Sequence, residues 1–286
     1  MTIWNLGSIN VDHVYKVAKF VEPGETLTAS AYEWGLGGKG LNQSVAALRS
    51  KADVRHLGAI GRGDKATMLA LQKLGFNKPW QVDEATGHAI IQVNKSGENS
   101  IVIAPGANRA LVPADIESAL SEAKPGDWFL LQNETNGALD AIKFAKKKGL
   151  KTCYAAAPFE PQVVAALIEY VDLLSVNEIE LSQLEAAMEV PRVAKLVTLG
   201  SRGAYYENES GTRSWVSAFP ITPIDTTGAG DTFLGAFLAH LDSGETLANC
   251  LHWASAAAAL QVTRLGAAPV IPTYDEISHF IGSEKK

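Results

Sequence analysis

Short apolar runs alternate with helix-like segments along most of the chain. Runs such as DWFLLQ and AKLVTLG are apolar at successive positions, which is typical of strands that are buried on both faces of a sheet. We predict such strands at 3–9, 54–60, 128–132, 152–156, 173–177 and 195–199. Helical periodicity lies between them, at 41–50, 65–74, 114–123, 137–148 and 162–170. This alternation predicts a parallel sheet that is covered by helices.

Two segments, 26–34 and 88–103, depart from this rhythm because polar and apolar residues alternate in them and turn residues interrupt them. In the second segment the sequence NKSGEN separates two short strand-like runs, which predicts a β-hairpin. We expect both segments to form a small sheet apart from the main one. The last third of the chain is rich in helical pattern, with long helices predicted at 231–241 and 246–263.

Composition and charge narrow the class of protein. The 286 residues are 47% apolar and 20% charged, with a formal net charge of −6, so the chain is long enough for one large domain and too acidic for general nucleic-acid binding. No run of about 18 apolar residues is present, and no basic segment precedes an apolar run at the N-terminus, which argues against a membrane span and a secretory signal. Cys153 and Cys250 lie in apolar surroundings and are expected to be buried, reduced thiols. We therefore predict a cytoplasmic protein.

The run DTTGAGDTF, at 225–233, carries the clearest chemical signal. Gly228 and Gly230 allow a sharp backbone turn, and the amides of Ala229, Gly230 and Asp231 then lie at the N-terminus of the helix that follows. Such amides and the helix dipole together form an anion site, and a carboxylate at the same place can accept the proton of a nearby hydroxyl. A kinase of hydroxyl groups needs both features. The residues alone leave a second interpretation open, in which Asp231 only caps the helix.

The run GLGGKGLNQ, at 35–43, formally contains the G-x-G-x-x-G spacing of dinucleotide-binding proteins. The strand-like segment before it is half polar, no acidic residue ends a second buried strand about 20 positions later, and the spacing of a P-loop is absent. A glycine-rich turn with one lysine, Lys39, and one asparagine, Asn42, still suits a polyol or a phosphate, although Lys39 could also be a solvated loop lysine. Asn10 and Asp12 lie two positions apart on an extended segment and so point to the same side. There they could hold neighbouring sugar hydroxyls or form an Asx turn.

Together these segments resemble the ribokinase family of carbohydrate kinases. GSINVDH, GGKGLNQ, NEIE, TLGSRG and DTTGAGDTF occur in the family's order, and GENSIVIAPGAN and AAAALQVTRLGAAPVIP extend the likeness over nearly the whole chain. The resemblance implies a single ribokinase-like domain over 1–286, an α/β three-layer sandwich with a small β-sheet lid. The lid strands are expected within about 12–35 and 86–105.

The resemblance also implies roles for particular residues. The expected catalytic residues are the base Asp231 and an anion hole of Gly228, Ala229 and Gly230. The expected sugar ligands are Asn10, Asp12, Gly38, Lys39, Asn42, Glu134 and Asp231. The expected ATP-binding residues are Asn177, Thr198, Gly200, Ser201, Gly203, Gly230 and Ser255. Asn177 and Glu180 are expected to organise magnesium through water.

Members of the family are often activated by a monovalent cation, usually potassium, which is bound mostly by backbone carbonyls. The positions expected to match that site are Asp225, Thr227, Gln261, Arg264, Gly266 and Val270. The sequence also departs from the family. The helix that usually separates NEIELSQLEAAME from VPRVAKLVTLG is missing, and Leu41 and Trp34 are bulky enough to reshape the sugar pocket.

The resemblance implies a kinase that uses ATP and magnesium to phosphorylate the primary hydroxyl of a sugar, with D-ribose as the expected acceptor and ribose 5-phosphate as the product. Fructose, another sugar or a nucleoside such as adenosine would fit the same mechanism. Two other classes are a sugar-sensing protein without catalysis, which the retained DTTGAGD run disfavours, and a nucleotide-dependent oxidoreductase, which the half-polar strand disfavours. Because a small sheet with an apolar face needs cover, we also predict a homodimer through the lid strands.

Overall fold

The computed structural model describes residues 1–283, and residues 284–286 of the predicted domain lie outside the described residues. The strands are β1 (Thr2–Leu6), β2 (Asn10–Lys16), β3 (Ala31–Gly37), β4 (Asp53–Leu57), β5 (Ala59–Gly61), β6 (Trp80–Val82), β7 (Gly87–Val93), β8 (Asn99–Ala104), β9 (Trp128–Leu131), β10 (Lys151–Ala155), β11 (Leu173–Asn177), β12 (Ala194–Thr198), β13 (Ala204–Glu207) and β14 (Arg213–Val216). The helices are α1 (Lys39–Arg49), α2 (Lys65–Lys73), α3 (Pro113–Ser121), α4 (Ala138–Lys147), α5 (Pro161–Leu167), α6 (Glu178–Ala187), α7 (Ala229–Asp242), α8 (Leu247–Gln261) and α9 (Tyr274–Ser283).

The main sheet contains eight strands in the order β14-β13-β12-β11-β10-β9-β1-β4. The six strands from β12 to β4 run parallel, whereas β13 and β14 form an antiparallel edge. All residues of β9 are buried, as expected of a strand that is covered on both faces. Helices α1, α7 and α8 pack on one face, and α3, α4, α5 and α6 pack on the other. This arrangement confirms the predicted α/β three-layer sandwich.

A separate small sheet has the order β3-β2-β7-β8. Strands β7 and β8 form the predicted hairpin, in which the N–H of Asn94 donates to the carbonyl of Glu98 at 3.0 Å. Strand β2 begins shortly after β1 ends, and β3 ends shortly before α1 begins. The small sheet therefore joins the main sheet at two places that adjoin β1.

Two predicted strands have different limits in the structure. The strand predicted at 3–9 ends at Leu6, and the following residues enter the small sheet as β2, because the chain turns at Gly7. The strand predicted at 54–60 is interrupted at Gly58 and forms β4 and β5. In both cases strand-like residues continue past a glycine at which the backbone changes direction.

Strands β13 and β14 and helix α9 were not predicted. The two strands have only four residues each, too few for a clear period, and α9 buries only Ile277. Residues 188–193 join α6 to β12 without a further helix. None of the helices described up to residue 283 is long and apolar enough to cross a membrane.

Candidate active site

Two glycines bring the N-terminus of α1 against the end of β1. Gly7 follows β1, and a Cβ atom added at Gly40 would lie only 2.3 Å from the Cα atom of Gly7. The N-cap residue of α1, Gly38, has a φ of 96°, which a glycine adopts without strain. The N–H of Leu41 donates to the carbonyl of Ser8 at 3.0 Å. The contact therefore places the first turn of α1 at the carboxyl end of β1.

Helix α7 begins at a second glycine turn and packs closely on α1. Its N-cap residue, Gly228, has a φ of 72°. Farther along, Gly235 approaches α1 so closely that an added Cβ atom would lie 2.3 Å from the carbonyl oxygen of Gln43. This packing lets side chains of α1 reach the first turn of α7. Asn42 Nδ2 donates to Asp231 Oδ2 at 3.0 Å, and Gln43 Nε2 donates to Asp231 Oδ1 at 2.9 Å.

The surroundings of Asp231 suit a carboxylate that accepts a proton. Burial raises the pKa of Asp231, whereas Lys39 and the two amide donors oppose that rise. A base is most effective when its pKa lies near the working pH. Asp231 is thus a carboxylate whose two oxygens face the amide donors of α1.

A relay of buried amides fixes the orientation of Gln43. Gln43 Oε1 accepts from Gln132 Nε2 at 2.7 Å, and the same Nε2 donates to Asn5 Oδ1 at 2.9 Å. Asn5 Nδ2 donates to the main-chain carbonyl of Gly40 at 2.8 Å. Because a carbonyl only accepts, each amide has one orientation, and Gln43 must present its NH2 group to Asp231. Sequence reasoning missed this relay because its amides come from distant segments, although the run GGKGLNQ contains one of them.

The predicted sugar ligands Asn10 and Asp12 lie on β2, where the small sheet meets the main sheet. On the neighbouring strand β3, a Cβ atom added at Gly37 would lie 2.1 Å from Asp12 Oδ2, so only glycine leaves room for this carboxylate. Asn10 is buried, and its Oδ1 accepts from Asn108 Nδ2 at 2.7 Å. The Oδ1 atom of Asn108 accepts from the N–H of Ile9 at 2.9 Å. Asn108 therefore positions the start of β2, a role that the sequence did not indicate.

Glu134 holds the N-terminus of α1. Its Oε2 accepts from the main-chain N–H of Lys39 at 2.9 Å and from the hydroxyl of Ser8. Burial raises the pKa of Glu134, while Ser8 and Lys39 act in the opposite direction. The sequence predicted a sugar ligand at this position. The structure adds a contact with the helix terminus, which leaves Oε1 as the oxygen that could meet a ligand.

Three carboxylates act on the ammonium group of Lys39, which is half-buried. Asp231 raises the pKa of Lys39 most, against the effect of burial, and Glu134 and Glu180 raise it further. A cation in this position can hold a negatively charged group that enters the cleft between the two helix N-termini. The arrangement therefore favours an interaction of Lys39 with a ligand over the solvated loop lysine.

The surroundings of Asp12 disfavour its charged form, and this effect allows a test of its position. Burial raises the pKa of Asp12 from 3.8 to about 6, and the Glu134 carboxylate adds to the rise. A raised carboxyl pKa means that the folded state loses stability as the pH increases through that value. We expect Asp12→Asn to increase the free energy of unfolding at pH 8 by on the order of 2 kcal/mol.

The gain in the Asp12→Asn variant should grow between about pH 4 and pH 6 and stay constant above. Denaturant unfolding at several pH values measures it, with the same substitution at exposed Asp140 as the control. A variant that is less stable than the parent at pH 8 would contradict the burial of a charged Asp12. Sugar affinity should fall in the same variant if Asp12 binds hydroxyls.

The expectation that Trp34 and Leu41 reshape the sugar pocket is wrong. Trp34 pairs with His13 in the small sheet, one residue away from Asp12, and therefore points to the opposite face. Leu41 is fully buried in the core between α1, α7 and the main sheet. Neither side chain reaches the cleft between Asp12 and Asp231.

A pocket of about 270 Å³ lies beside the N-terminus of α7. The predicted ATP-binding residues that line it are Thr198, Gly200, Ser201, Gly203, Gly230 and Ser255. The lining residues not predicted for ATP are Ala218, Phe219, Ile221, Pro223, Thr226, Ala229, Phe233, Ala258, Ala259 and Val262. Mostly apolar walls with few polar groups suit a planar base. Ser255 Oγ donates to the carbonyl of Ser217 at 3.0 Å, so its proton is already used within the protein.

Asn177 and Glu180 form a capping box at the start of α6. Asn177 Oδ1 accepts from the N–H of Glu180 at 2.8 Å, and Glu180 Oε2 accepts from the N–H of Asn177 at 2.8 Å. Burial raises the pKa of Glu180, and its Oε1 remains for a ligand. Residues 1–283 contain no cluster of three or more side chains suited to hold a metal ion. The free oxygen of Glu180 beside the capping box could reach a magnesium ion through water.

The predicted cation positions are engaged by donors of the protein. Asp225 Oδ1 and Oδ2 accept from the N–H groups of Thr227 and Gly266, each at 2.9 Å. Gln261 Nε2 donates to the carbonyls of Gly266 at 3.0 Å and of Thr227 at 3.3 Å. The carbonyl of Val270 accepts from the guanidinium of Arg264 at 3.0 Å. The sequence had suggested backbone ligands here and did not reveal these side-chain contacts.

A carboxylate at a helix N-terminus, a nearby lysine and an adjacent pocket with mostly apolar walls fit a phosphotransferase that acts on an alcohol group. Comparisons with known proteins agree. The model of the pfkB family carbohydrate kinases matches residues 2–274. The ribokinase of Haemophilus influenzae is 36% identical over 303 residues, with 98% of each chain covered.

Solved structures give the same result. The ribokinase of Thermotoga maritima aligns with a TM-score of 0.86 at 32% identity, covering 98% of each chain. The ribokinase of Arabidopsis thaliana, solved as a complex with ribose and ATP, aligns with a TM-score of 0.85 at 28% identity, covering 98% of this chain and 97% of that one. The present chain belongs to the pfkB family of carbohydrate kinases.

Proposed function

We propose that this protein transfers the γ-phosphate of ATP to the primary hydroxyl of D-ribose. The observation that carries the proposal is the position of Asp231, which accepts hydrogen bonds from Asn42 and Gln43 on one side and adjoins the pocket residue Gly230 on the other. The similarity to ribokinases, one of them solved with ribose and ATP, supports ribose as the acceptor.

In this mechanism Asp231 accepts the proton of the sugar hydroxyl as its oxygen attacks the γ-phosphate in line. The amides of Ala229, Gly230 and Asp231 stabilise the charge that grows on the transferred group. Lys39 adds a positive charge from the facing helix. Magnesium held through Asn177 and Glu180 would neutralise phosphate charge. The proposed mechanism includes no potassium ion, because carbonyls predicted to bind it accept hydrogen bonds from side chains of the protein.

The sugar would lie between β2 and the N-terminus of α1, with its hydroxyls held by side chains that the two elements present. These proposed ligands are Asn10, Asp12, Lys39, Asn42 and Glu134, with the main chain of Gly38. The small sheet would act as a lid of a single domain and would exclude water, which limits hydrolysis of ATP. We place the reaction in the cytoplasm, where ATP is available and where the buried free thiols of Cys153 and Cys250 stay reduced.

The acceptor is tested by coupled measurement of ADP release with ribose, deoxyribose, fructose and adenosine. The highest kcat/KM with ribose is the expected result. A higher value with another acceptor would keep the mechanism and change the substrate. Folded protein without turnover on any acceptor would favour a sugar-sensing protein.

We also propose that two chains associate through the outer face of the small sheet. Trp34, His13, Ile90 and Val102 are neighbours in register across the four strands, on the face opposite Asp12. Trp34 is 48% exposed, Ile90 43% and Val102 66%. A row of large apolar side chains on one sheet face is typical of a surface that another chain covers.

Light scattering at micromolar concentration is expected to give twice the chain mass of 30.4 kDa. Val102→Asp should give a monomer, because burying a carboxylate in an apolar interface is costly. The control is Val112→Asp, at an exposed valine outside the small sheet, which should leave the dimer intact. A monomeric parent protein would contradict the proposed association.

A further inference from the structure

The side chain of Gln261 occupies the centre of the loop that precedes the anion hole. Gln261 is the last residue of α8, and it is 0% exposed. Its Nε2 lies 3.0 Å from the carbonyl oxygen of Gly266 and 3.3 Å from that of Thr227. Both carbonyls only accept hydrogen bonds, so the NH2 end of the amide must face them. The lone pairs that a cation would need are therefore directed at N–H groups.

Other oxygens of this loop also accept from the protein, whereas Gln261 Oε1 has no hydrogen-bond partner among the described residues. Both carboxylate oxygens of Asp225 accept main-chain N–H groups. The carbonyl of Val270 receives a charged donor, Arg264, which is itself paired with Glu276 at 2.7 Å. The positive charge near these carbonyls thus comes from a side chain of the protein.

Because Thr227 adjoins the start of α7, these contacts affect the proposed anion hole. Thr227 directly precedes Gly228, the N-cap residue of α7, and the amides that follow form the proposed anion hole. The N–H groups of Ile224 and Asp225 are bound to the carbonyl of Val262, next to Gln261, at 2.7 and 3.1 Å. The end of α8 therefore holds the loop by its main chain and by the Gln261 side chain together.

We propose that the Gln261 side chain replaces a monovalent cation as the tether of the anion-hole loop, so that this kinase works without potassium. A cation at the same carbonyls would have to displace an amide that is fully buried, and the displaced amide would lose its two acceptors. Gln261 is thus a positioning residue for the amides that precede Asp231. The inference rests on the proposed kinase activity for its catalytic readout.

The first measurement compares kcat of the parent protein in potassium, sodium and tetramethylammonium chloride at equal ionic strength. We expect equal values within about twofold. In Gln261→Ala, kcat in tetramethylammonium should fall by about 10- to 100-fold, because the loop loses its tether and small displacements of catalytic groups are costly. Potassium should restore most of the loss, since the deleted side chain leaves space among the carbonyls.

The control is Gln261→Leu, which keeps the volume of the side chain and removes its donors. It should lose activity in all three salts and should not recover with potassium. A general effect of packing would instead spare the leucine variant. A rise of fivefold or more in parent kcat with potassium would overturn the inference, as would unchanged activity of Gln261→Ala in tetramethylammonium.

Thermal unfolding gives a readout that does not depend on turnover. Potassium should leave the Tm of the parent and of Gln261→Leu unchanged relative to tetramethylammonium, and should raise the Tm of Gln261→Ala by binding the folded state. A specific rise in parent Tm with potassium would contradict the inference. If the parent were inactive in every salt, the proposed function would be wrong, and the Tm comparison would still decide the role of Gln261.

Discussion

Asp231→Asn is expected to lower kcat by about 10³-fold, within the range that a positioned general base contributes. The new amide has one oxygen for the two donors that face it. Gln43 cannot turn, because the relay from Gln132 fixes it. Asn42 can turn, because its Oδ1 has no hydrogen-bond partner among the described residues and can accept from the new NH2 group. The variant should therefore fold, and its affinity for the sugar should change by only a few fold.

The chain offers a matched control for this substitution. Helix α4 also begins after a glycine with positive φ, Gly137 at 77°, and also carries an aspartate, Asp140, as its third residue. Asp140→Asn removes the same charge from the same helix position, where the side chain is exposed. Steady-state kinetics on both variants separate the two interpretations of Asp231. If Asp231 only capped its helix, both variants would lose a little stability and neither would lose turnover.

Gly40→Ala is expected to have the largest effect on stability. An added Cβ atom would lie 2.3 Å from the Cα atom of Gly7 and 2.5 Å from the nitrogen of Ser8, and these main-chain atoms cannot rotate away. The first turn of α1 must move off β1, with a loss of about 3 kcal/mol in the free energy of unfolding. Because Lys39 and Asn42 move with that turn, kcat/KM should also fall.

Gly35→Ala is the control for this prediction, since it makes the same change in the same glycine-rich run. A Cβ atom at Gly35 meets no other atom within 4 Å. Denaturant unfolding should show a change within about 0.5 kcal/mol for this variant. Equal losses in the two variants would mean that glycine is required here for chain flexibility and not for contact with β1.

The parts of the site that could be predicted consist of residues that lie close together in the sequence. Gly228 and Asp231 lie within one turn of each other, so the sequence alone places the carboxylate beside the helix amides. The same holds for Asn10 and Asp12, whose alternation on an extended chain survives in β2. The strands that are buried on both faces were also predictable, because their apolar runs have no competing period.

The parts that were missed depend on contacts between distant segments. Gln43, Gln132 and Asn5 come from three elements, and no spacing in the sequence indicates that they share hydrogen bonds. Gln261 was assigned to a set of backbone ligands, a pattern in which side-chain identity carries little information. Only the structure shows that its amide donates to two carbonyls of the loop.

The most direct test of the central claim is sugar-dependent ADP formation from ATP with D-ribose as the only acceptor, followed by 31P NMR of the product. The account predicts that ADP appears only when ribose is present and that the phosphate is attached to the primary hydroxyl. ADP formation at the same rate with and without ribose, or no ADP from folded protein in any salt, would contradict it.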